Sequence, residues 1–167
     1  MSEPDPLKIL GALERHRVRF VLIGAAAARI AGAPVVTEDI DVTPATDKAN
    51  LERLVVALKE LRARLRSPSD KSGVTFPLDV DMLRTADLWT LTTSAGDLDI
   101  CFTPSGTRGY RDLHREALRM RVGPGISVSV ASLRDVIRSK EAAGRDKDLA
   151  QLPLLRRTLE QIRERKT

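Results

Sequence analysis

The residues of this chain best suited to chemistry are two aspartates spaced i, i+2 between β-formers, in Thr37-Glu38-Asp39-Ile40-Asp41-Val42. Alternate side chains of a strand share a face, so Asp39 and Asp41 are predicted to project together, roughly 7 Å apart along the chain. Such a face is strongly anionic and costly unless water or a cation compensates it. A third carboxylate, Asp99, stands between Leu98 and Ile100 in a second apolar stretch. The expectation is that Asp39, Asp41 and Asp99 form one metal site. Oxygen donors suit a hard cation such as Mg²⁺, and three carboxylates on two strands suit two ions about 3.5–4 Å apart. One aspartate would bridge the ions, and Asp99 would also accept a proton from an attacking hydroxyl. Upstream, Phe20-Val21-Leu22-Ile23 runs into Gly24 and an alanine-rich segment. That order predicts a strand, a glycine turn and a helix N-terminus whose free N–H groups hold a triphosphate.

Spacing alone does not single out this pair. Asp79-Val80-Asp81 has the same spacing, but Pro77 precedes it closely and no glycine turn stands at a matching distance upstream. In Asp97-Leu98-Asp99, Asp97 belongs with the turn signal Ser94-Ala95-Gly96-Asp97. What distinguishes Asp39 and Asp41 is the order of elements: strand, Gly24, helix, the aspartate pair, then a hairpin strand bearing Asp99.

The elements that must position these groups can be read in turn. Leucines at helical spacing predict a helix over 4–17, a buried strand over 19–23, and a helix over 25–31 stopped by Gly32 and Pro34. A strand over 38–43 ends at Pro44. Asp47 caps a helix predicted over 47–66, with Leu51, Leu54, Val55, Leu58, Leu61 and Leu65 along one face and Arg66 off that stripe. Residues 67–73 read as a polar, disordered loop. Residues 77–82 fit either a strand or a turn entering a short helix to Ala86. Strands over 89–93 and 98–103 form a hairpin, and 105–109 is a loop. A helix is expected over 110–120, which would line up Arg111, Arg115 and Arg119 as a stripe, a solvated face or a track for an RNA backbone. A β pair follows over 122–130, then a helix from Ser132 to Gly144. A last helix opens at Asp146 and is broken or restarted at Pro153. The mixture predicts an α+β fold, a mixed β-sheet flanked by helices with a C-terminal helical segment. One domain is expected over 1–167, with its core over about 19–130 and its C-terminal helices over about 131–166.

Composition sets the bounds. With 167 residues the chain can bury a core, and with 3% aromatics that core must be mostly Leu, Val, Ile and Ala. A net charge of +5, from 28 Lys and Arg against 23 Asp and Glu, is compatible with an anionic partner such as a nucleotide or an RNA. The single cysteine, Cys101, excludes an intramolecular disulfide and a multi-cysteine zinc site, and is expected to be a small buried residue. Two histidines, His16 and His114, exclude an imidazole-rich metal centre. No stretch approaches the ~20 apolar residues of a membrane span. The acidic, proline-rich start is unlike a signal peptide, so a cytoplasmic protein is expected.

The pieces Ile23-Gly24-Ala25, Asp39-Ile40-Asp41-Val42 and Leu98-Asp99-Ile100 resemble the pattern of the nucleotidyltransferase superfamily to which DNA polymerase beta belongs. The resemblance implies a nucleotidyltransferase fold and Mg²⁺-dependent transfer of a nucleoside monophosphate from a nucleoside triphosphate, with release of pyrophosphate. Thr37-x-Asp39-Ile40-Asp41 and the segment Ser139-Lys140-Glu141-Ala142-Ala143-Gly144-Arg145-Asp146-Lys147-Asp148-Leu149 look like the small bacterial AbiEii and MenT-like group. Its members are often toxins paired with an antitoxin protein, and some modify tRNA 3′ ends. By that resemblance Lys140 approaches the nucleotide phosphates, and the Lys147-Asp148 pair follows it in the nucleotide site. The likeness covers residues 20–155 and is weakest over 67–88. Ala25 departs from it, standing where glycine or serine is usual, so that backbone N–H groups and the Thr37 hydroxyl would serve the phosphates. Val35 stands where an arginine often precedes Thr-x-Asp. Two other readings stay open at this point: transfer to a small hydroxyl compound such as an antibiotic, and a non-catalytic binding or regulatory protein that keeps the fold.

Overall fold

The computed structural model describes residues 3–35 and 39–166. Helix α1 (Pro6–Arg15) is capped by Asp5 and leads into strand β1 (Phe20–Ile23), followed directly by α2 (Gly24–Ile30). Strand β2 (Ile40–Pro44) carries Asp41, and Asp39 immediately precedes it. Asp47 caps α3 (Lys48–Glu60), its carboxylate accepting from the Asn50 N–H. Then come β3 (Arg64–Ser67), β4 (Asp70–Val74), the single-turn α4 (Val80–Leu83), β5 (Leu88–Thr93) and β6 (Gly96–Cys101). The chain finishes with α5 (Tyr110–His114), β7 (Leu118–Gly123), β8 (Ile126–Val130), α6 (Leu133–Ala143) and α7 (Asp146–Arg165).

The eight strands of the described residues join one mixed sheet in the order β4-β3-β5-β6-β2-β1-β8-β7. The β2–β6 and β1–β8 pairs are parallel and the rest antiparallel. This is the α+β architecture expected. Leu22, Val42, Leu98 and Ile100 are fully buried in a core completed by Leu13 of α1 and Leu51, Leu54 and Leu58 of α3. Aliphatic side chains dominate it, as the scarcity of aromatics requires. Aspartates alternate with these residues along β2 and β6, so the opposite face of the same strands is polar.

Several elements differ from expectation. Helix α3 stops at Glu60 rather than near residue 66. Arg62 takes the left-handed conformation (φ 54°), and the Ala63 N–H returns to the Leu58 carbonyl. That is a helix terminus usually made with glycine, so no glycine announces it. Leu65 continues the leucine period but belongs to β3, paired with Val74 and Leu91. The predicted disordered loop over 67–73 is a β3–β4 hairpin. Asp70 accepts from both the N–H and the hydroxyl of Ser72, and Ser67 pairs with Asp70. Gly73 lies at φ 79°, where a Cβ would come 2.6 Å from Thr92 Cγ2, so only glycine lets the hairpin seat on β5.

Of the two readings for 77–82, the helical one is observed: Asp79 caps α4 by accepting from the Met82 N–H. The helix expected over 110–120 ends at His114, and Leu118 to Gly123 pairs with β8 instead. Sheet pairing there overrides helical propensity. The stripe of Arg111, Arg115 and Arg119 therefore does not exist, and Arg119 pairs with Glu14 of α1. Helix α7 runs unbroken through Pro153. The carbonyl deprived of its donor belongs to Leu149, an exposed residue, so the helix tolerates the proline.

Candidate functional site

Strands β2 and β6 lie side by side and parallel, with Asp41 directly opposite Asp99. Ile23 faces Asp41 from β1, and Thr90 faces Asp99 from β5. The two aspartates thus sit mid-sheet on one face, close enough for Asp99 to disfavour ionisation of Asp41. Burial pushes the Asp41 carboxyl up to about 7, with the Asp99 and Asp39 charges acting in the same direction and Lys140 opposing them. Asp39, half-buried, joins this cluster through its field. Among the described residues no group of three or more His, Cys, Asp or Glu side chains is already gathered to hold a metal ion. The arrangement is a close pair with a third carboxylate beside it.

The backbone at Gly24 is fitted to this pair. It lies at φ 67°, and a Cβ there would stand 2.6 Å from Asp41 Oδ2. Any side chain at that position would collide with the carboxylate, so glycine is required both for conformation and for close approach. Ile23, at the N-cap position of α2, supplies no side-chain hydrogen bond to the first turn of that helix.

Helices α6 and α7 bring cations to the same place. Ser132 caps α6 through the Asp135 N–H, and Gly144, at φ 64°, ends it. Lys140 projects from its last turns with its side chain 15% exposed, and its Nζ lies 3.6 Å from Asp148 Oδ1. Asp148, 3% exposed, also accepts from Arg145 Nε at 2.7 Å. Its carboxyl is held below the usual range: burial opposes ionisation, but the Arg145 and Lys140 charges outweigh it. Asp148 therefore anchors the two cations, and its own oxygens are already spoken for.

Gly24, Ala25, Asp39, Asp41 and Asp99 line a single cleft of about 700 Å³ with Lys140, Lys147 and Asp148. The structure so brings together every candidate from the sequence except Thr37, which lies outside the described residues. The decoy pair is elsewhere: Asp79 and Asp81 are exposed on α4. Cys101, expected to be buried, is half-buried and lines the cleft; its thiol is pushed up to about 11 by burial and by Asp87.

Sequence reasoning missed Arg66. The leucine period predicts a helix through it; it lies instead on β3, where its Nη2 donates to Asp99 Oδ1 at 2.8 Å and to the Leu91 carbonyl at 2.9 Å. Its Nε lies 3.3 Å from Asp97 Oδ2. The hairpin that carries it had no signal beyond Pro68 and Gly73.

The cleft is bordered by arginines. Ser105 lines it, and the next residues, Gly106 and Thr107, line a neighbouring hollow with Arg108, Arg111, Arg115 and Arg138. Arg108 and Arg111 are shared with a further hollow that includes Arg17, Arg19 and Arg119. Tyr110 and His114 stack there, ring centroids 5.1 Å apart. No helix among the described residues is long and apolar enough to cross a membrane.

The donor set fits Mg²⁺: it consists of hard carboxylate oxygens, and Asp41 is a half-buried acid whose ionised form is disfavoured by burial and by its like-charged neighbours, a cost a divalent cation relieves.

No protein-family model matches the chain, and no curated protein matches it. Among solved structures it is similar to a protein from Thermotoga maritima provisionally described as a nucleotidyltransferase. The identity is 17%, over 92% of this chain and 89% of that one, with a TM-score of 0.50. What two chains share at that identity is the fold, and this chain accordingly has the mixed-sheet nucleotidyltransferase fold.

Proposed function

We propose that the protein is a Mg²⁺-dependent nucleotidyltransferase. The observation that carries this reading is the parallel register of Asp41 with Asp99, with Lys140 facing the pair across one cleft. Asp41 and Asp99, with Asp39, would hold the cation, two ions when the triphosphate is in place. When bound, Mg²⁺ supplies positive charge to the phosphate oxygens and favours the ionised form of an acceptor hydroxyl. Gly24, Ala25 and the first N–H groups of α2 receive phosphate oxygens, as does Lys140, which Asp148 holds in place. Lys147 stands exposed at the edge of the same cleft. Asp99 accepts the proton of the acceptor hydroxyl on the oxygen not engaged by Arg66. The acceptor oxygen forms a bond to the α-phosphorus, the α–β phosphoanhydride bond breaks, and pyrophosphate leaves. Fixed charges around the transferring group stabilise its developing negative charge, the main catalytic contribution in such reactions.

The acceptor reading is an RNA, a tRNA 3′ end in the narrower form, and the role a toxin with a partner antitoxin. The arginine-lined hollow that adjoins the carboxylate cleft at Ser105–Gly106 favours a polyanionic acceptor over a small compound, which would call for a deep acidic pocket. The test is incubation with each labelled nucleoside triphosphate, Mg²⁺ and total RNA, followed by identification of the labelled species. Label in RNA is the expected outcome, abolished by chelation. No labelled product with RNA or with small hydroxyl acceptors would defeat the reading.

A further inference from the structure

Strand β3 is two strands removed from Asp99, yet it supplies a guanidinium to the carboxylate cluster. Arg66 follows Leu65, which faces Leu91, so its place in the sheet is level with Thr90 and hence with Asp99 and Asp41. Its side chain crosses β5 and is held through one nitrogen of its fork, with Nε close to a further carboxylate. Nη2 is shared between the Leu91 carbonyl at 2.9 Å and Asp99 Oδ1 at 2.8 Å. Nε stands 3.3 Å from Asp97 Oδ2, without the alignment of a hydrogen bond. The Leu91 carbonyl is backbone in the middle of the sheet, so one anchor of the guanidinium is independent of the acids it serves. A planar fork held this way fixes direction as well as charge, which a lysine cannot do.

We propose that Arg66 is a positioning residue of this site. It fixes which oxygen of Asp99 faces Asp41, and it sets one permanent positive charge beside the carboxylates, weakening their hold on a divalent cation in the absence of a triphosphate. Arg66 offsets part of the negative charge of the Asp39, Asp41 and Asp99 cluster from one side, and Lys140 offsets part of it from another. With Arg66 in place the cation is taken up firmly only when phosphate oxygens complete its coordination. The β3–β4 hairpin, whose seat on β5 depends on Gly73, exists in this reading to carry that arginine.

The transfer reading is needed only for the kinetic half of the test; the cation titration stands without it. Mn²⁺ is titrated by electron paramagnetic resonance into the wild-type protein, Arg66→Gln and Arg66→Lys, with circular dichroism and melting to confirm folding. Arg66→Gln, neutral but with a hydrogen-bonding head, should bind Mn²⁺ about tenfold more tightly, and Arg66→Lys should stay within about twofold of wild type. In the transfer reaction both variants should lower kcat about tenfold while the KM for the triphosphate stays within about twofold, because a lysine does not restore the fork. Unchanged Mn²⁺ affinity in Arg66→Gln, equal tightening in Arg66→Lys, or no Mn²⁺ binding by any of the three proteins overturns the proposal. An unaltered kcat in Arg66→Gln also overturns it. If the wild-type protein transfers nothing, the kinetic half condemns the nucleotidyl-transfer reading, and the Mn²⁺ titration still decides Arg66.

Discussion

The two ends of strand β2 bury polar side chains in opposite ways. Past its C-terminal end, Asn50 is fully buried and fully satisfied. Its Oδ1 accepts from the Arg19 N–H at 2.7 Å, and its Nδ2 donates to the carbonyls of Ala45 at 2.7 Å and Arg19 at 3.0 Å. One amide thereby ties α3 to the start of β1 and the exit of β2. At the N-terminal end, Asp41 is half-buried beside two other carboxylates and is pushed up to about 7. The first arrangement stabilises the fold, since each buried partner is paired. The second costs stability and is retained beside a cleft. Polar burial thus tells structure from site only when one asks whether the groups are satisfied.

Substitutions at the two ends should separate these roles. The largest effect expected is on chemistry. Asp41→Asn should lower transfer by about a thousandfold or more while melting higher than wild type at pH 8 without metal, because a like-charge cluster has lost a member. A variant that loses activity only by unfolding would erase the contrast between the two ends. Asn50→Ala should do the reverse. Three backbone groups lose a buried partner, at a cost of about 3 kcal/mol, measured by urea unfolding, while the folded fraction keeps its turnover per molecule. Activity loss beyond the unfolded fraction would show that the Asn50 tie reaches the site.

The smallest effect is a pH dependence. The Asp41 carboxyl ordinarily titrates at 3.8 and is raised to about 7 in the folded protein. The native state therefore binds more protons than the unfolded chain between those values, and stability falls as pH rises through that window. The metal-free protein should melt a few degrees lower at pH 8 than at pH 5. Asp41→Asn should show a shallower fall, and an equal fall in both proteins would assign the titration to other groups.

Much of the site was legible because it depends on order along the chain. An apolar strand into Gly24, the Asp-x-Asp stretch and a hairpin carrying Asp99 could be placed from residue types, and the Ser132 and Gly144 boundaries of the Lys140 helix are ordinary capping signals. The space around Gly24 could not be foreseen: its need comes from Asp41 Oδ2, a contact across β1 and β2. Arg66 was hidden for a different reason. The helix before it stops at Glu60 and the chain turns through Arg62, a left-handed arginine and not a glycine, so the leucine period runs on through Leu65 without a stop signal. Arg119 was misplaced because a short helix and an edge strand share one charged stretch, and only pairing with β8 decides between them. The role of Asp148 was half legible. Its neighbourhood to Lys140 could be inferred, but its burial under Arg145 and Lys140 could not.

The parallel pairing of β2 with β6 has a consequence for folding kinetics. Parallel neighbours cannot be joined by a tight turn, and between these two the chain makes α3, the β3–β4 hairpin, α4 and β5. Asp41 and Asp99 consequently meet only after that whole excursion has closed, so the carboxylate pair forms among the slow, non-local contacts. Charge repulsion is then felt near the end of folding, where it opposes closure of the central strands at neutral pH and is relieved when Asp41 is protonated. The same two side chains that would do the chemistry set the last electrostatic barrier to making the sheet.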